Sequence, residues 1–290
     1  MEKTTKFRNL IEKKGIIILP GVYDCLSAKL AEEAGFKAVS ITGAGVVASV
    51  LGYPDVGLIT MTEVLNQTRN IVKSVDIPVF ADCDTGYGNP LNVWRTVREF
   101  EDAGVAGLFI EDQVIPKRCG HFEGKQLITK NEMVKKIEAA LDSRRDPDLV
   151  IMARTDARSV FGLDEAFERA RAYVKAGVDM IFIESPETID ELRIIPKSVD
   201  APTMANMVEG GKTPLVSVQE LEEMGYKFAN FSGSAQKIAM KAMRELFRTL
   251  RTKGQLDAIL DKIATLGERS KLLGLPSFYE MEKKYRVPQH

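Results

Sequence analysis

Short apolar, β-branched runs alternate along the chain with polar or Gly-rich breaks and amphipathic stretches. The runs are Ile16–Leu19, Ala38–Ile41, Val79–Ala81, Gly107–Ile110, Val150–Ala153, Met180–Ile183, Thr203–Ala205 and Phe228–Phe231. Each is too short and too continuously apolar for a strand with one face in water. Strands covered by helices on one face and by packed side chains on the other read this way. Between them Ala28–Ala34, Val93–Ala103, Ala166–Ala176 and Val218–Met224 carry helical periodicity, and each closes on a glycine: Gly35, Gly104, Gly177 and Gly225. Glycine is the residue that best adopts the left-handed turn after a helix. Asp164 stands where a helix beginning at Glu165 would take its cap.

Eight such strands alternating with helices predict a (β/α)8 TIM barrel, whose usual size is about 250 residues. The rival, an open doubly wound sheet, would carry G-x-G-x-x-G after its first strand. Pro20-Gly21-Val22-Tyr23-Asp24 stands there instead. The step from Val46 to Pro78 is longer than the others and leaves room for an extra turn. No low-complexity linker interrupts the repeat, so residues 1–290 read as one domain, a barrel over 15–252 with a helical extension over 253–290. The apolar residues of Leu256–Leu266 and Leu272-Leu273-Gly274-Leu275-Pro276 need a partner surface, either the barrel or another subunit.

Composition narrows the function classes. Lys+Arg is 40 against Asp+Glu 41, a net charge of -1. Nucleic-acid binders need a basic surplus to neutralise phosphates, and none is present. A chain 44% hydrophobic and 28% charged is globular. No apolar run approaches the roughly 18 to 20 residues that span a bilayer. The charged start, Met1-Glu2-Lys3-Thr4-Thr5-Lys6-Phe7, does not read as a secretory signal. Three cysteines (Cys25, Cys83, Cys119) make no disulfide framework and fit reduced thiols in a cytoplasm.

In a barrel of this kind the active site forms at the carboxyl ends of the strands. Those ends carry Thr42-Gly43-Ala44-Gly45, Asp82-Cys83-Asp84-Thr85-Gly86, Glu111-Asp112-Gln113, Arg154-Thr155-Asp156, Glu184-Ser185 and Asn206-Met207-Val208-Glu209-Gly210-Gly211. Carboxylates from four consecutive strands thus share one mouth with an arginine, a crowding that calls for a cation or a proton. Asp82 and Asp84, two apart, can face one side and join Glu111 in an all-oxygen cluster. It lacks the His or Cys ligands that zinc prefers and suits Mg2+ or Mn2+, completed by water and substrate oxygens. As a bare turn, Asp-x-Asp-x-Gly would be commonplace; its company on neighbouring strands is what favours a metal.

Residues 114–130 exceed the usual βα loop of about 2 to 6 residues, as lids do. Lys117-Arg118-Cys119-Gly120-His121 packs two cations, a thiol and an imidazole into this loop. Neighbouring positive charge is expected to lower the Cys119 pKa and fit it for acid–base work. Cys83 alternates away from the aspartates and is expected to be buried, and Cys25, Trp94, Met204 and Met207 to pack in the core. Gly210-Gly211-Lys212 and Ser232-Gly233-Ser234 fall where barrels often bind phosphate or carboxylate through backbone N–H groups. The lysines all read as off the strand ends, which leaves a Schiff-base aldolase no obvious nucleophile.

Gly52-Tyr53-Pro54-Asp55, Asp82 to Gly88, Ile110-Glu111-Asp112-Gln113, Lys117 to His121 and Ala153-Arg154-Thr155-Asp156 together resemble the isocitrate lyase/phosphoenolpyruvate mutase superfamily. The likeness runs from about Gly15 to Gln255, and the K-R-C-G-H lid marks the carbon–carbon lyase branch. It implies a modified TIM barrel that uses Mg2+ and releases a 2-oxo acid such as pyruvate. It also implies a homotetramer, a dimer of dimers whose C-terminal helices are exchanged between neighbours. By motif, Asp82 and Asp84 would hold Mg2+, with Asp55 and Glu111 around it. Thr42, Gly43 and Ala44 would bind the pyruvyl carboxylate, and Gly120, Arg154, Glu184, Asn206 and Lys237 would meet the rest of the substrate. Cys119 would be the general acid, supported by His121 and Arg118. Where 2-methylisocitrate lyases carry Asn-(Ile/Met)-Thr-Glu-Phe-Gly, this chain has Asn206-Met207-Val208-Glu209-Gly210-Gly211, and an arginine after strand eight is Lys237. Fewer guanidiniums leave less to pair a third carboxylate, which favours a dicarboxylate related to 2-alkylmalate. Oxaloacetate hydrolysis and phosphonate–phosphate rearrangement are the alternatives within the superfamily; an inert barrel is the alternative outside it.

Overall fold

A computed structural model describes residues 1–287; the last three positions of the expected extension lie outside them. By its internal contacts the chain divides into two compact units, Met1–Gln236 and the part from Lys237 onward. The division falls inside the long helix after the last strand, ahead of the boundary near 253 read from the sequence.

The first unit holds eight parallel strands that close into a barrel in chain order. They are β1 (Ile17–Val22), β2 (Val39–Ile41), β3 (Val79–Asp82), β4 (Gly107–Glu111), β5 (Val150–Thr155), β6 (Met180–Ile183), β7 (Thr203–Asn206) and β8 (Phe228–Phe231). Every apolar run became a strand. Ahead of β1 lies α1 (Lys3–Glu12), and between the strands lie α2 (Cys25–Glu33), α3 (Gly43–Val50), α4 (Met61–Ser74), α5 (Pro90–Asp102) and α6 (Lys130–Ser143). Then come α7 (Arg158–Phe161), α8 (Leu163–Ala176), α9 (Ile189–Ser198) and α10 (Val218–Met224). The long step between β2 and β3 holds two helices, α3 and α4, where an extra turn was expected.

Strand alternation explains why the runs are apolar throughout. Phe80, Phe109, Met152, Phe182, Met204 and Phe228 point inward and pack against one another. Their neighbours Val79, Ala81, Leu108, Ile110, Ile151, Ala153, Ile181 and Ile183 point outward into the layer beneath the helices. Phe7 of α1 is fully buried and stacks on Phe80 and Phe228, with ring centroids 5.4 Å away in each case. That helix closes the end of the barrel opposite the strands' carboxyl termini, and nothing in the repeat announced it. Most βα loops end in a capped helix: Asp24, Thr60, Asn89, Thr129, Thr188 and Ser217 each accept a backbone N–H of the first turn. Asp164 departs from the expectation, because α8 starts one residue earlier, at Leu163. It lies in the first turn, where its charge meets the positive end of the helix dipole.

In the second unit α11 (Ser234–Lys253) continues from the first, followed by a 3-10 turn over Asp257–Lys262, α12 (Leu266–Leu272) and α13 (Leu275–Tyr285). Phe278, Tyr279, Met281 and Tyr285 of α13 are exposed. Among the described residues no helix is long and apolar enough to cross a membrane.

Candidate functional site

The mouth of the barrel gathers most of the anticipated side chains. Asp82 closes β3, Glu111 closes β4, Arg154 is the last residue but one of β5, Glu184 follows β6 and Asn206 closes β7. Asp82 is fixed from both sides, its oxygens accepting the Gly43 amide at 3.2 Å and the Asp84 amide at 3.0 Å. Asp84 has φ 48°, a left-handed backbone rare for a residue with a Cβ, and Ser185 after β6 has φ 56°. Strain of that kind costs on the order of 1–3 kcal/mol and gathers where a side chain must be aimed.

Glycine at position 43 lets the Asp82 carboxylate approach the backbone. A Cβ there would lie 2.7 Å from Asp82 Oδ2. Thr42 caps α3 through its hydroxyl, which accepts from the Gly45 amide at 3.3 Å, and Ala44 is exposed in the first turn. The amide of Gly43 and the threonine hydroxyl are therefore committed to Asp82 and to the helix.

The lid lies across this mouth. Its base is an antiparallel bridge between Gln113 and Leu127, and the Gln113 side chain clasps the backbone of Arg118 at 2.8 and 2.9 Å. The Cys119 amide donates to the Asp55 carbonyl at 3.2 Å. A Cβ on Gly120 would stand 2.4 Å from Glu184 Cγ and 2.5 Å from Arg154 Nη2, so only glycine lets the loop come this close. His121 Nδ1 accepts the Lys212 amide at 3.1 Å and lies 3.3 Å from Ser185 Oγ, while Nε2 faces Glu184 at 3.7 Å.

Of the two cations of the lid, the one expected to support Cys119 faces solvent and the other enters the mouth. Arg118 is exposed and donates to the Glu123 carbonyl of its own loop at 3.0 Å. Lys117, passed over in the sequence, points inward because successive residues of an extended segment face opposite ways. Its Nζ lies 2.7 Å from Asp84 Oδ1 and 2.7 Å from Asp55 Oδ1. Burial alone would lower its pKa, but Asp84, Glu111, Asp55 and Asp82 together hold it well above the ordinary value.

Burial dominates the electrostatics of the other groups. It pushes Asp84 up to about 6, against the pull of Lys117 and with the help of Asp82 and Asp55. It likewise lifts Glu111 well above the ordinary carboxylate range, against Arg154 and Lys117. Cys119 is raised as well, by burial, although an N–H from His121 opposes the shift. This reverses the expectation of a lowered thiol pKa: the neighbouring lysine is spent on carboxylates, the arginine faces solvent, and desolvation of the sulfur wins. Such a sulfur is a proton donor.

Among the described residues no group of three or more His, Cys, Asp or Glu side chains converges tightly enough to hold an ion unaided. Mg2+ does not need one, since it commonly takes one or two carboxylates and fills its octahedron with water and substrate oxygens. The donors here fit that habit. Neither buried oxygen of Glu111 accepts a hydrogen bond, and a cavity of about 340 Å³ opens beside Asp84, bordered also by Lys117, Thr85 and Tyr87.

Asn206 joins a relay that sequence reading missed: Ser40 donates to Asn230 at 2.6 Å, Asn230 to Asn206 at 3.1 Å, and Asn206 reaches Glu184 at 3.5 Å. Three polar residues in otherwise apolar strands were its only trace. Met204, Met207 and Cys83 are buried as expected. Cys25 is half-buried at the start of α2, and Trp94 is 45% exposed under the Arg98 guanidinium, so neither is core. Lys237 belongs to the second unit.

Comparison with known proteins adds an independent line. The sequence pattern of the phosphoenolpyruvate phosphomutase family matches residues 7–251. The 2,3-dimethylmalate lyase of Eubacterium barkeri is 47% identical over 285 residues, which cover 98% of this chain and 99% of that one. The 2-methylisocitrate lyase of Aeropyrum pernix is 46% identical over 277 residues, covering 96% and 88%. A crystal structure of phosphonopyruvate hydrolase in complex with oxalate and Mg2+ superposes with a TM-score of 0.89 at 30% identity, over 98% of this chain and 99% of that one.

Proposed function

Since the chain belongs to the phosphoenolpyruvate phosphomutase family, we propose that it is a Mg2+-dependent carbon–carbon lyase. Its substrate is a 2-hydroxy di- or tricarboxylate of the 2,3-dimethylmalate or 2-methylisocitrate kind, and its products are pyruvate and a second carboxylic acid. The observation that carries this reading is the lid of Cys119 seated so closely over the mouth that a Cβ on Gly120 would stand 2.4 Å from Glu184 Cγ and 2.5 Å from Arg154 Nη2; burial, which raises the thiol, agrees with a proton donor there.

Asp82, Asp84 and Glu111 would hold the Mg2+, which would supply Lewis acidity to the substrate's oxygens. Asp55, under the lid, takes the hydroxyl proton through a water. The oxygen's electron pair becomes the 2-oxo double bond as C2–C3 breaks, and the C2–C3 pair stays on C3. Cys119 delivers its proton to that carbon, which completes the second acid, and its thiolate recovers through water the hydroxyl proton that Asp55 took. Thr42, Gly43 and Ala44 receive the pyruvyl carboxylate at the first turn of α3, where it takes over the Gly43 amide from Asp82, while Arg154, Asn206 and Gly120 border the departing portion. Glu184 and His121 orient the lid against it, and closure excludes the water that would quench the carbanion at the wrong moment. Lys117 keeps Asp84 and Asp55 from standing as unpaired buried charges.

The cytoplasm as location rests on the three free cysteines. A homotetramer with exchanged C-terminal helices would cover the apolar residues of α13. The test is a panel of 2-alkylmalates, 2-methylisocitrate and oxaloacetate with Mg2+, pyruvate release being coupled to NADH oxidation. Turnover of an alkylmalate or methylisocitrate that stops on chelation supports the lyase. Acetate and oxalate from oxaloacetate, without pyruvate from the others, would replace it with a hydrolase.

A further inference from the structure

Arg154 is ringed by three carboxylates, and one of them grips it. Its Nε and Nη2 donate to the two oxygens of Asp156 at 2.9 and 3.0 Å. Its Nη1 stands 3.3 Å from Glu111 Oε2 and 3.3 Å from Glu184 Oε2, while the guanidinium carbon lies 5.3 Å over the ring of Phe182. Asp156 is fully buried, and so is Asp112, whose Oδ1 accepts the Asp156 amide at 3.0 Å. The other oxygen of Asp112 accepts from Thr155 Oγ1 at 2.7 Å, Tyr173 OH at 2.8 Å and Arg169 Nη1 at 3.0 Å. Arg169 also donates to the Ile128 carbonyl at the base of the lid, at 2.9 Å. Asp112, Arg169 and Tyr173 have no place in the chemistry set out above. Burying so many polar groups is costly unless every one is satisfied, and these are.

A guanidinium left to itself in this mouth would turn its remaining donors onto Glu111 and Glu184, which Nη1 already meets. It would then cover the Glu111 oxygens that the metal site needs, and rise into the path of Gly120. A bidentate fork to a fixed carboxylate removes that freedom, because two parallel N–H···O bonds set the plane as well as the position. We infer that Asp156 is a positioning residue that holds Arg154 flat by committing Nε and Nη2 to the fork, so that Nη1 alone, at 3.3 Å from Glu111 and Glu184, meets the substrate carboxylate. Asp112, tied by Arg169 and Tyr173, holds Asp156 in turn. This rests on reading the mouth as a Mg2+-assisted carboxylate site.

Oxalate binding in the presence of Mg2+, followed by calorimetry on the full chain, tests it without turnover. Asp156→Asn keeps the shape and loses the fork's charge, and should weaken oxalate by about 10-fold or more, the scale on which partners that orient ligand groups act. Asp156→Glu should recover part of that loss, which a residue needed only for stability would not explain. Because Asp156 acts through Arg154, placing Asp156→Asn on top of Arg154→Lys should add little further loss. Asp112→Asn, which keeps an oxygen for the Asp156 amide, gives the same readout one residue further back should Asp156→Asn fail to fold. Wild-type oxalate affinity in Asp156→Asn or in a folded Asp112→Asn, or full additivity with Arg154→Lys, overturns the inference. If the wild-type chain itself binds no oxalate with Mg2+, the reading of the mouth fails instead.

Discussion

The same eight strands end in two opposite chemistries. At one end Phe7 stacks between Phe80 and Phe228, sealed by α1 with no polar side chain in the cluster. At the other, where the β-segments end, Asp82, Asp84, Glu111, Arg154 and Glu184 crowd together with Lys117 of the lid, nearly all removed from water. The floor is stable because it is apolar and filled, and it asks for nothing from outside. The mouth balances its charges through a lid lysine and a web of donors behind Arg154, and aims its side chains with three left-handed residues, Asp84, Tyr87 and Ser185. A barrel can carry such a site because the closed strands below it pack without strain.

If the two ends are separable, substitutions at each should move different quantities. The largest effect is expected at the lid. Cys119→Ser should lower turnover by about 10²- to 10⁴-fold, the usual worth of a positioned proton donor. Mg2+-dependent oxalate binding should stay near the wild-type value, because the thiol enters only when carbon needs its proton. Loss of both together would make Cys119 a packing residue and dissolve the distinction. At the floor, Phe7→Ala should cost about 3–5 kcal/mol, the range for emptying a filled aromatic site. Chemical denaturation reads that number, and KM and kcat measured well below the transition should not change. A fall in kcat at low temperature would mean that α1 reaches the chemistry through the barrel.

The floor and the mouth were also unequally legible in the sequence. Strands and their ends were plain, since a strand buried on both faces leaves a short unbroken apolar run and the first polar residue after it marks the mouth. The floor helix was not: Phe7, Leu10 and Ile11 are its main apolar residues among charges, too few to stand out. At the mouth, residue types were readable but orientation was not. Lys117 and Arg118 are adjacent and both basic, and only the path of the lid decides that the first is buried against Asp55 and Asp84 while the second meets solvent. The thiol pKa went the wrong way for the same reason, because desolvation has no signature in a string of letters. The web behind Arg154 is more remote still, tying Asp112 to Arg169 and Tyr173 across 57 and 61 positions. Trp94 shows the opposite error, a large aromatic assumed buried that lies against Arg98 at the surface.

The gentlest way to sharpen the contrast is to titrate the mouth while the floor stays indifferent. Burial raises Asp84 to about 6, so its carboxyl is protonated below that value and ionised above it. An ion bound there must displace the proton, and apparent affinity therefore climbs as pH rises through about 6, any further climb belonging to Glu111, which burial also lifts. Between pH 5 and 7 the gain is about tenfold for a single competing proton. Mn2+ followed by electron paramagnetic resonance gives the affinity directly, with no substrate present. In Asp84→Asn the remaining affinity should lose this slope, whereas Phe7→Leu should keep both slope and midpoint. A profile that is flat from pH 5 to 7 in the unaltered protein would mean that the ion does not meet Asp84, and that Lys117 alone satisfies it.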